Sequence, residues 1–161
     1  MKYKSKYTLL IIFVVLTLFV IAFFIKAFKK DNYTSVCGKY AKKEVQISNK
    51  IIFADISDND CKRQLGLSSR EALLDGEGML FIFERAGNYG FWMKDMSFPL
   101  DILWINDRFE VVGIERNVST STYPQTFGEK YLGKYVLEVS AGYSDKNNIK
   151  IGEKIHPLTK F

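Results

Sequence analysis

The chain has 161 residues, enough for one domain and an extension, and its aromatic content of 15% favours β structure over a helix bundle. Its charge is unevenly divided. Residues 1–44 hold nine Lys against two acidic residues, whereas residues 45–161 hold fourteen Lys or Arg against sixteen Asp or Glu. The pI of about 9.1 therefore reflects the N-terminal segment. An acidic domain lacks a basic surface that could contact the phosphate backbone, which argues against nucleic-acid binding.

The first predicted element is a transmembrane helix. Thr8 to Ile25 carry no charge, and fifteen of these eighteen residues are Leu, Ile, Val or Phe. Eighteen helical residues rise about 27 Å, close to the roughly 30 Å hydrocarbon core. We predict an anchor over residues 8–28 after a short tail of residues 1–7, with the lipid bilayer as its partner. The alternative is a cleaved signal peptide, which has a shorter apolar core and a small-x-small cleavage site.

The next segment, residues 29–44, is polar and predicts a stalk. Charge counting favours neither orientation, but the first helix of a short-tailed protein usually acts as a signal anchor. We therefore predict a single-pass membrane protein whose domain lies outside the cytoplasm, in the periplasm or on the outer face of the cytoplasmic membrane. In such an oxidising compartment Cys37 and Cys61 would form a disulfide, whereas in the cytosol they would be two separate thiols.

Short apolar runs separated by Gly, Asn and Asp predict strands through residues 45–161. The predicted strands cover residues 45–47, 51–56, 79–83, 89–94, 100–105, 109–114, 134–139 and the region 149–155. Turn residues predict hairpins at 48–50, 87–88 and 106–108. Seven or eight short strands favour a mainly β domain, a compact β-sandwich or barrel with short helical inserts.

Helical inserts are predicted at three places. Asp58 is the expected N-cap of a short helix that ends near Leu65, with Gly66 as its stop. Ser68 and Glu71 have the spacing of a capping box, which predicts a further helical turn. Residues 142–148 suit one helical turn or two.

Four stretches occur in the same order and spacing as in a known family. They are RQLGLSSRE at 63–71, GMLFIF at 78–83, FWMKDMSFPLDILWIN at 91–106 and YVLEVSAGYSDKNNIKIGEKI at 135–155. In these residues the chain resembles the prokaryotic domain of unknown function 192 family. The resemblance covers residues 45–156 and implies a compact β-sandwich, often exported or membrane-attached, with no established reaction. The family commonly has Met where this chain has Ser68, which implies a lost packing contact.

The FWMK–PLDI block contains the candidate ligand site. Strand alternation places Trp92 and Lys94 on one face, and it places Asp101 on a face with two aliphatic residues. Burying an unpaired carboxylate is costly, so Lys94 or Arg70 is the expected partner of Asp101. Two interpretations stay open. The charges form a structural ion pair that fixes strand register, or they line a shallow site where Trp92 stacks on a ligand and Lys94 supplies a cation.

Catalysis is the alternative function. Glu138 lies on the side of its strand opposite the predicted core, and with Asp101 it could form the carboxylate pair of an envelope polysaccharide hydrolase. The one His, His156, argues against a transition-metal site, and Glu77 is expected in a solvated turn. No cofactor is predicted, because the sequence holds no phosphate loop, dinucleotide fingerprint or nucleophile elbow. The favoured hypothesis is a non-enzymatic binding or scaffold module that faces the cell envelope and takes a small-molecule or envelope-polymer ligand.

Overall fold

The computed structural model describes residues 10–23, 36–68 and 70–158. The chain divides into two units, Met1–Lys39 and Tyr40–Phe161, each of which is described by itself. In the first unit residues 10–23 form a helix, α1, with exposed side chains. The predicted anchor at 8–28 extends at both ends beyond the described residues, as does much of the predicted stalk. Within the described part of the chain, no helix is long and apolar enough to cross a membrane.

The second unit is mainly β. Its strands are β1 Lys42–Ile47, β2 Lys50–Ser57, β3 Glu77–Gly87, β4 Phe91–Trp92, β5 Leu100–Ile105, β6 Val111–Val118, β7 Thr126–Phe127, β8 Gly133–Ser140 and β9 Ile155–Pro157. Seven of them form one sheet in the order β6-β5-β8-β3-β2-β1-β9, and β4 pairs with β7. Neighbours are antiparallel except β2 and β3, which run parallel. The short helices are α2 Asp60–Leu65, α3 Tyr143–Lys146 and a 3-10 turn at Thr120–Thr122.

The large sheet curls into a half-barrel. Its two edge strands, β6 and β9, approach each other through the segments beside them. Glu110 forms an isolated antiparallel bridge with Lys154, and the Ile155 N–H donates to the Phe109 carbonyl at 2.8 Å. The mainly β prediction is therefore confirmed, and the architecture is one curled seven-stranded sheet with a separate two-stranded β4–β7 sheet.

Each face of the sheet carries an apolar cluster. The inner cluster includes Val111 from β6 and Ile155 from β9, so it fills the inside of the curl. The outer cluster packs Met79, Phe81 and Ile102 of the sheet under β4 and the neighbouring loops. Every residue of β5 is buried because this strand contributes to both clusters, which explains why all of its residues except Asp101 are apolar.

Two predicted hairpins are confirmed. β1 and β2 pair from Ile47 and Lys50 outward, across the two-residue turn at 48–49, and β5 pairs with β6 across residues 106–110. The predicted strand at 89–94 is only partly correct. It is limited to β4, and its partner is β7 rather than β3, so the turn at 87–88 does not close a hairpin between those strands.

The helix predictions need two corrections. α2 is capped by Asn59, whose side chain accepts from the Lys62 N–H at 3.0 Å, and not by Asp58. Gly66 ends α2 as predicted, with a φ of 52°. The helical turn predicted from the capping box at Ser68 does not form among the described residues, because the Ser68 hydroxyl instead donates to the Lys94 carbonyl at 2.9 Å.

Both cysteines are oxidised. Cys37 and Cys61 are each disulfide-bonded, and the sequence contains no third cysteine, which confirms the predicted disulfide.

Candidate functional site

A groove of about 300 Å³ lies over the outer apolar cluster. One wall comes from α2 and the turn that follows it, and the other comes from β4 and the loop before it. The residues that line it are Asp60, Arg63, Gln64, Leu65, Gly66, Leu67, Ser68, Phe81, Phe83, Tyr89, Gly90, Phe91, Trp92, Met96 and Glu138. This volume is at the lower end of the range for small-molecule sites, and the predominance of apolar and aromatic lining residues is typical of them.

Two hydrogen bonds hold the walls in place. The buried Trp104 ring donates from Nε1 to the Tyr89 carbonyl at 2.9 Å and so fixes the loop before β4. On the other side, the Ser68 hydroxyl bonds the Lys94 carbonyl after β4. The groove is therefore preformed between tethered segments, which limits the ordering cost of binding.

Glu138 is the polar group at the bottom of the groove. β8 lies between β3 and β5, where Glu138 is opposite Met79 on one side and Ile102 on the other. Both neighbours belong to the outer cluster, and Glu138 is only 5% exposed. Burial raises the pKa of its carboxyl from 4.5 to about 8, a shift that the nearby Arg70 charge partly opposes. At neutral pH the carboxyl is therefore mainly protonated and can donate a hydrogen bond.

The structure explains why Arg70 does not neutralise Glu138. Asp55, Met79 and Glu138 form one row across β2, β3 and β8 on the outer face. Arg70 forms an ion pair with Asp55 at 2.8 Å and lies over the Tyr40 ring at 5.5 Å. Among the described residues, no ion pair or hydrogen bond joins the Glu138 carboxyl to another side chain.

Asp101 has different partners from those predicted. Its side chain accepts hydrogen bonds from three backbone N–H groups: Asn117 at 2.8 Å, Gly142 at 3.1 Å and Ser144 at 2.8 Å. The expected ion pair with Lys94 or Arg70 is therefore wrong. Fully buried, Asp101 joins β5 to β6 and to the start of α3, which is a structural role.

Asp101 and Glu138 do not form a carboxylate pair. Asp101 lies opposite Val139 of the inner cluster, whereas Glu138 lies opposite Ile102 of the outer cluster. Directly paired residues project from the same face of a sheet, so these two carboxyls are on opposite faces. Two groups separated by a packed sheet cannot flank one glycosidic bond, and the geometry gives the hydrolase hypothesis no support.

Trp92 and Lys94 lie together at the rim of the groove, on one shared face as strand alternation predicted, and both are exposed. The Trp92 side chain is half exposed and lines the groove. The Lys94 ammonium lies 5.9 Å from the centre of its ring, and the Tyr123 ring lies 5.9 Å away on another side. Of the four ligand-binding candidates, Trp92 and Lys94 are adjacent, Arg70 is close to Glu138, and Asp101 is remote.

The sequence did not identify most of the groove. Arg63, Tyr89 and Phe91 come from α2, a loop and β4, and no local periodicity places these three segments side by side. His156 is exposed on β9, and Glu77 lies 3.5 Å from Lys42 at the surface. Within residues 10–23, 36–68 and 70–158, no three His, Cys, Asp or Glu side chains are grouped in a way that could hold a metal ion.

The family model DUF192, described as "Uncharacterized ACR", matches residues 43–157. The chain belongs to the domain of unknown function 192 family. No curated protein matches its sequence. The groove thus lies in a DUF192 domain, formed by residues inside the matched range.

Two solved structures are similar to this DUF192 domain. One, from Sinorhizobium meliloti 1021 and provisionally described as a transcription regulator, is 24% identical with a TM-score of 0.70, covering 73% of this chain and 95% of that chain. The other, a protein of unknown function from Novosphingobium aromaticivorans DSM 12444, is also 24% identical, with a TM-score of 0.65, covering 71% of this chain and 84% of that one. At this identity the likeness concerns the fold alone.

Proposed function

We propose that this chain is a membrane-tethered, non-enzymatic binding module of the cell envelope, and that its DUF192 domain holds a ligand in the groove around Glu138. The observation that carries the proposal is a buried carboxyl group without a partner among the described residues, at the bottom of an aromatic-lined groove. A buried polar group without a partner costs stability. A bound ligand that pairs with it recovers that energy as affinity.

The envelope location rests on the sequence and on the disulfide. The uncharged run from Thr8 to Ile25 has the length and composition of a membrane anchor. The oxidised state of Cys37 and Cys61 suits a compartment outside the cytoplasm. Protease added to intact spheroplasts should remove the domain, and complete protection would contradict this orientation.

Nucleic acid is an unsuitable ligand even though one structural neighbour is described as a regulator. Residues 45–161 hold fourteen basic and sixteen acidic residues, and a net negative domain repels phosphates. The binding partner is therefore expected to be a small molecule or an exposed group of an envelope polymer.

A thermal-unfolding screen of the full chain in maltoside micelles tests the binding function. The compounds are envelope sugars, peptidoglycan fragments, lipid headgroup analogues and divalent cations. We expect at least one compound to raise the melting temperature of the wild-type protein and to lose this effect in Trp92→Ala.

Phe53→Ala is the matched control for that screen. Phe53 is 49% exposed and Trp92 is 51% exposed, but Phe53 does not line the groove. The stabilising compound should therefore act on Phe53→Ala as it does on the wild type. The proposal fails if no compound stabilises the protein, or if Trp92→Ala responds as the wild type does.

A further inference from the structure

We propose that the groove binds an organic ammonium cation, with the Glu138 carboxylate as its counter-ion and the surrounding aromatic rings as cation–π partners. This inference rests on the proposed function, since it names the class of ligand for the same groove. It follows from three properties of the lining residues: their charge, their rings and the volume that they enclose.

Once internal pairs are removed, Glu138 is the ionisable lining residue of the groove that remains unpaired among the described residues. Asp60, Arg63 and Glu138 are its charged lining residues. Arg63 pairs with Asp60 at 2.7 Å and also donates to the Ile82 carbonyl at 2.8 Å, so its charge is already paired within the protein. Arg70, just outside the lining, is paired with Asp55. When Glu138 ionises, a bound cation balances its charge, whereas a bound anion would be repelled by it.

The rings of the groove suit a cation. Phe81, Phe83, Tyr89, Phe91 and Trp92 all line it. Phe91 meets Phe81 at an interplanar angle of 88° and Phe83 at 86°, so Phe91 lies at right angles to both rings, while Phe83 stacks on Tyr89. Such an arrangement is the basis of the aromatic cages that recognise quaternary ammonium groups.

Cations of the protein itself already occupy two of these rings. The Arg63 guanidinium lies 5.3 Å from the centre of Phe83, and the Lys94 ammonium lies 5.9 Å from the centre of Trp92. Both distances are within the range in which a ring attracts a cation. The volume of about 300 Å³ accommodates a compact ammonium group but not a long oligosaccharide.

Binding should depend on pH in a defined direction. In the free groove burial keeps the Glu138 pKa at about 8, with Arg70 acting to lower it, while Asp60 and Arg63 of α2 face the same groove as a neutral pair. A cation requires the ionised carboxylate, so binding releases a proton. For a quaternary ammonium such as choline, whose charge does not change with pH, affinity should therefore rise about tenfold from pH 6 to pH 7 and level off above pH 8.

Calorimetric titration of the full chain in maltoside micelles at pH 7, where choline is cationic and the amine of glucosamine is still mainly protonated, tests the proposal with matched probes. Choline is compared with 3,3-dimethyl-1-butanol, its uncharged analogue of the same shape, and glucosamine with N-acetylglucosamine. We expect the charged member of at least one pair to bind tenfold or more tightly than the neutral member. The pair that responds distinguishes a headgroup-like ligand from an amino sugar.

Three variants complete the test. Glu138→Gln should weaken binding of the charged probe at least tenfold and remove its pH dependence, whereas the exposed Glu84→Gln should change neither. Lys94→Gln removes a like charge beside Trp92 without disturbing the core, and it should strengthen binding about two- to threefold.

Failure of this inference is distinguishable from failure of the proposed function. Equal affinity for both members of each pair, unchanged binding in folded Glu138→Gln, or weaker binding in Lys94→Gln overturns the ammonium class. If the wider screen still finds a Trp92-dependent ligand, the binding function stands. If no compound binds in either experiment, both fall.

Discussion

Replacing Glu138 by Gln should make the domain more stable at alkaline pH. Gln has nearly the same shape as Glu but cannot ionise, so it removes only the cost of a buried negative charge. In the wild type this cost appears as the raised pKa of about 8, against 4.5 in the unfolded chain. The folded state therefore binds the proton more tightly than the unfolded state does.

The sign and size of this change in stability follow from the same two pKa values. The stabilising effect of the protonated carboxyl is complete below pH 4.5, falls as the pH rises, and is lost above pH 8. A separation of about 3.5 pH units corresponds to about 5 kcal/mol of unfolding free energy. Because Glu138 is almost fully buried, solvent screens little of this effect.

Urea unfolding of wild type, Glu138→Gln and the exposed Glu84→Gln at pH 5 and pH 9 measures the effect. The stability of wild type relative to Glu138→Gln should fall by several kcal/mol between these pH values, while Glu84→Gln should follow the wild type. Parallel pH profiles for wild type and Glu138→Gln would refute the reasoning, because they would mean that the carboxyl is solvated or paired in the folded protein.

Three further predictions concern the framework. Asp101→Asn should lower the free energy of unfolding in urea by about 3 kcal/mol, because a neutral amide replaces a buried carboxylate that accepts hydrogen bonds from three N–H groups. A loss below about 1 kcal/mol would contradict this structural role. Gly128→Ala should cost about 3 kcal/mol or more, since its Cβ would overlap the Trp104 ring, whereas Gly152→Ala, also at positive φ but in open space, should cost only about 1 kcal/mol; similar melting temperatures for the two would refute the clash. Reduction of the disulfide, which closes a 25-residue loop, should lower stability by about 3 kcal/mol, and alkylation of the unreduced protein detected by mass would contradict the bond.

Local sequence patterns predicted which side chains share a face of a strand, but not their partners, and they placed Glu138 opposite the core although it is only 5% exposed. Alternation placed Trp92 and Lys94 on one shared face, and in the structure both are exposed, Trp92 in β4 and Lys94 just after it. It also separated Asp101 from Ile102, and the two apolar clusters confirm this division. Such patterns succeed because a strand has a fixed period of two residues, whatever it packs against.

The partners were missed because they depend on strand order. Asp101 is satisfied by N–H groups 16 and 43 residues away, and no pattern within β5 indicates them. Glu138 lacks a partner among the described residues partly because Arg70 is held by Asp55, on a strand that becomes a neighbour only through the parallel pairing of β2 with β3. The partners of a buried charged residue therefore depend on strand order, which local sequence patterns do not give.

The central claim is that the buried Glu138 carboxyl group has no partner among the described residues of the free protein and binds a ligand. Carbon-13 NMR tests this claim most directly. The full chain is labelled at the Glu side-chain carboxyls, and the Glu138 resonance is assigned by its absence in Glu138→Gln. We predict that this resonance titrates with a pKa near 8 in the free protein and at a clearly lower pH with saturating choline. A pKa near 4.5 in the free protein would contradict the account.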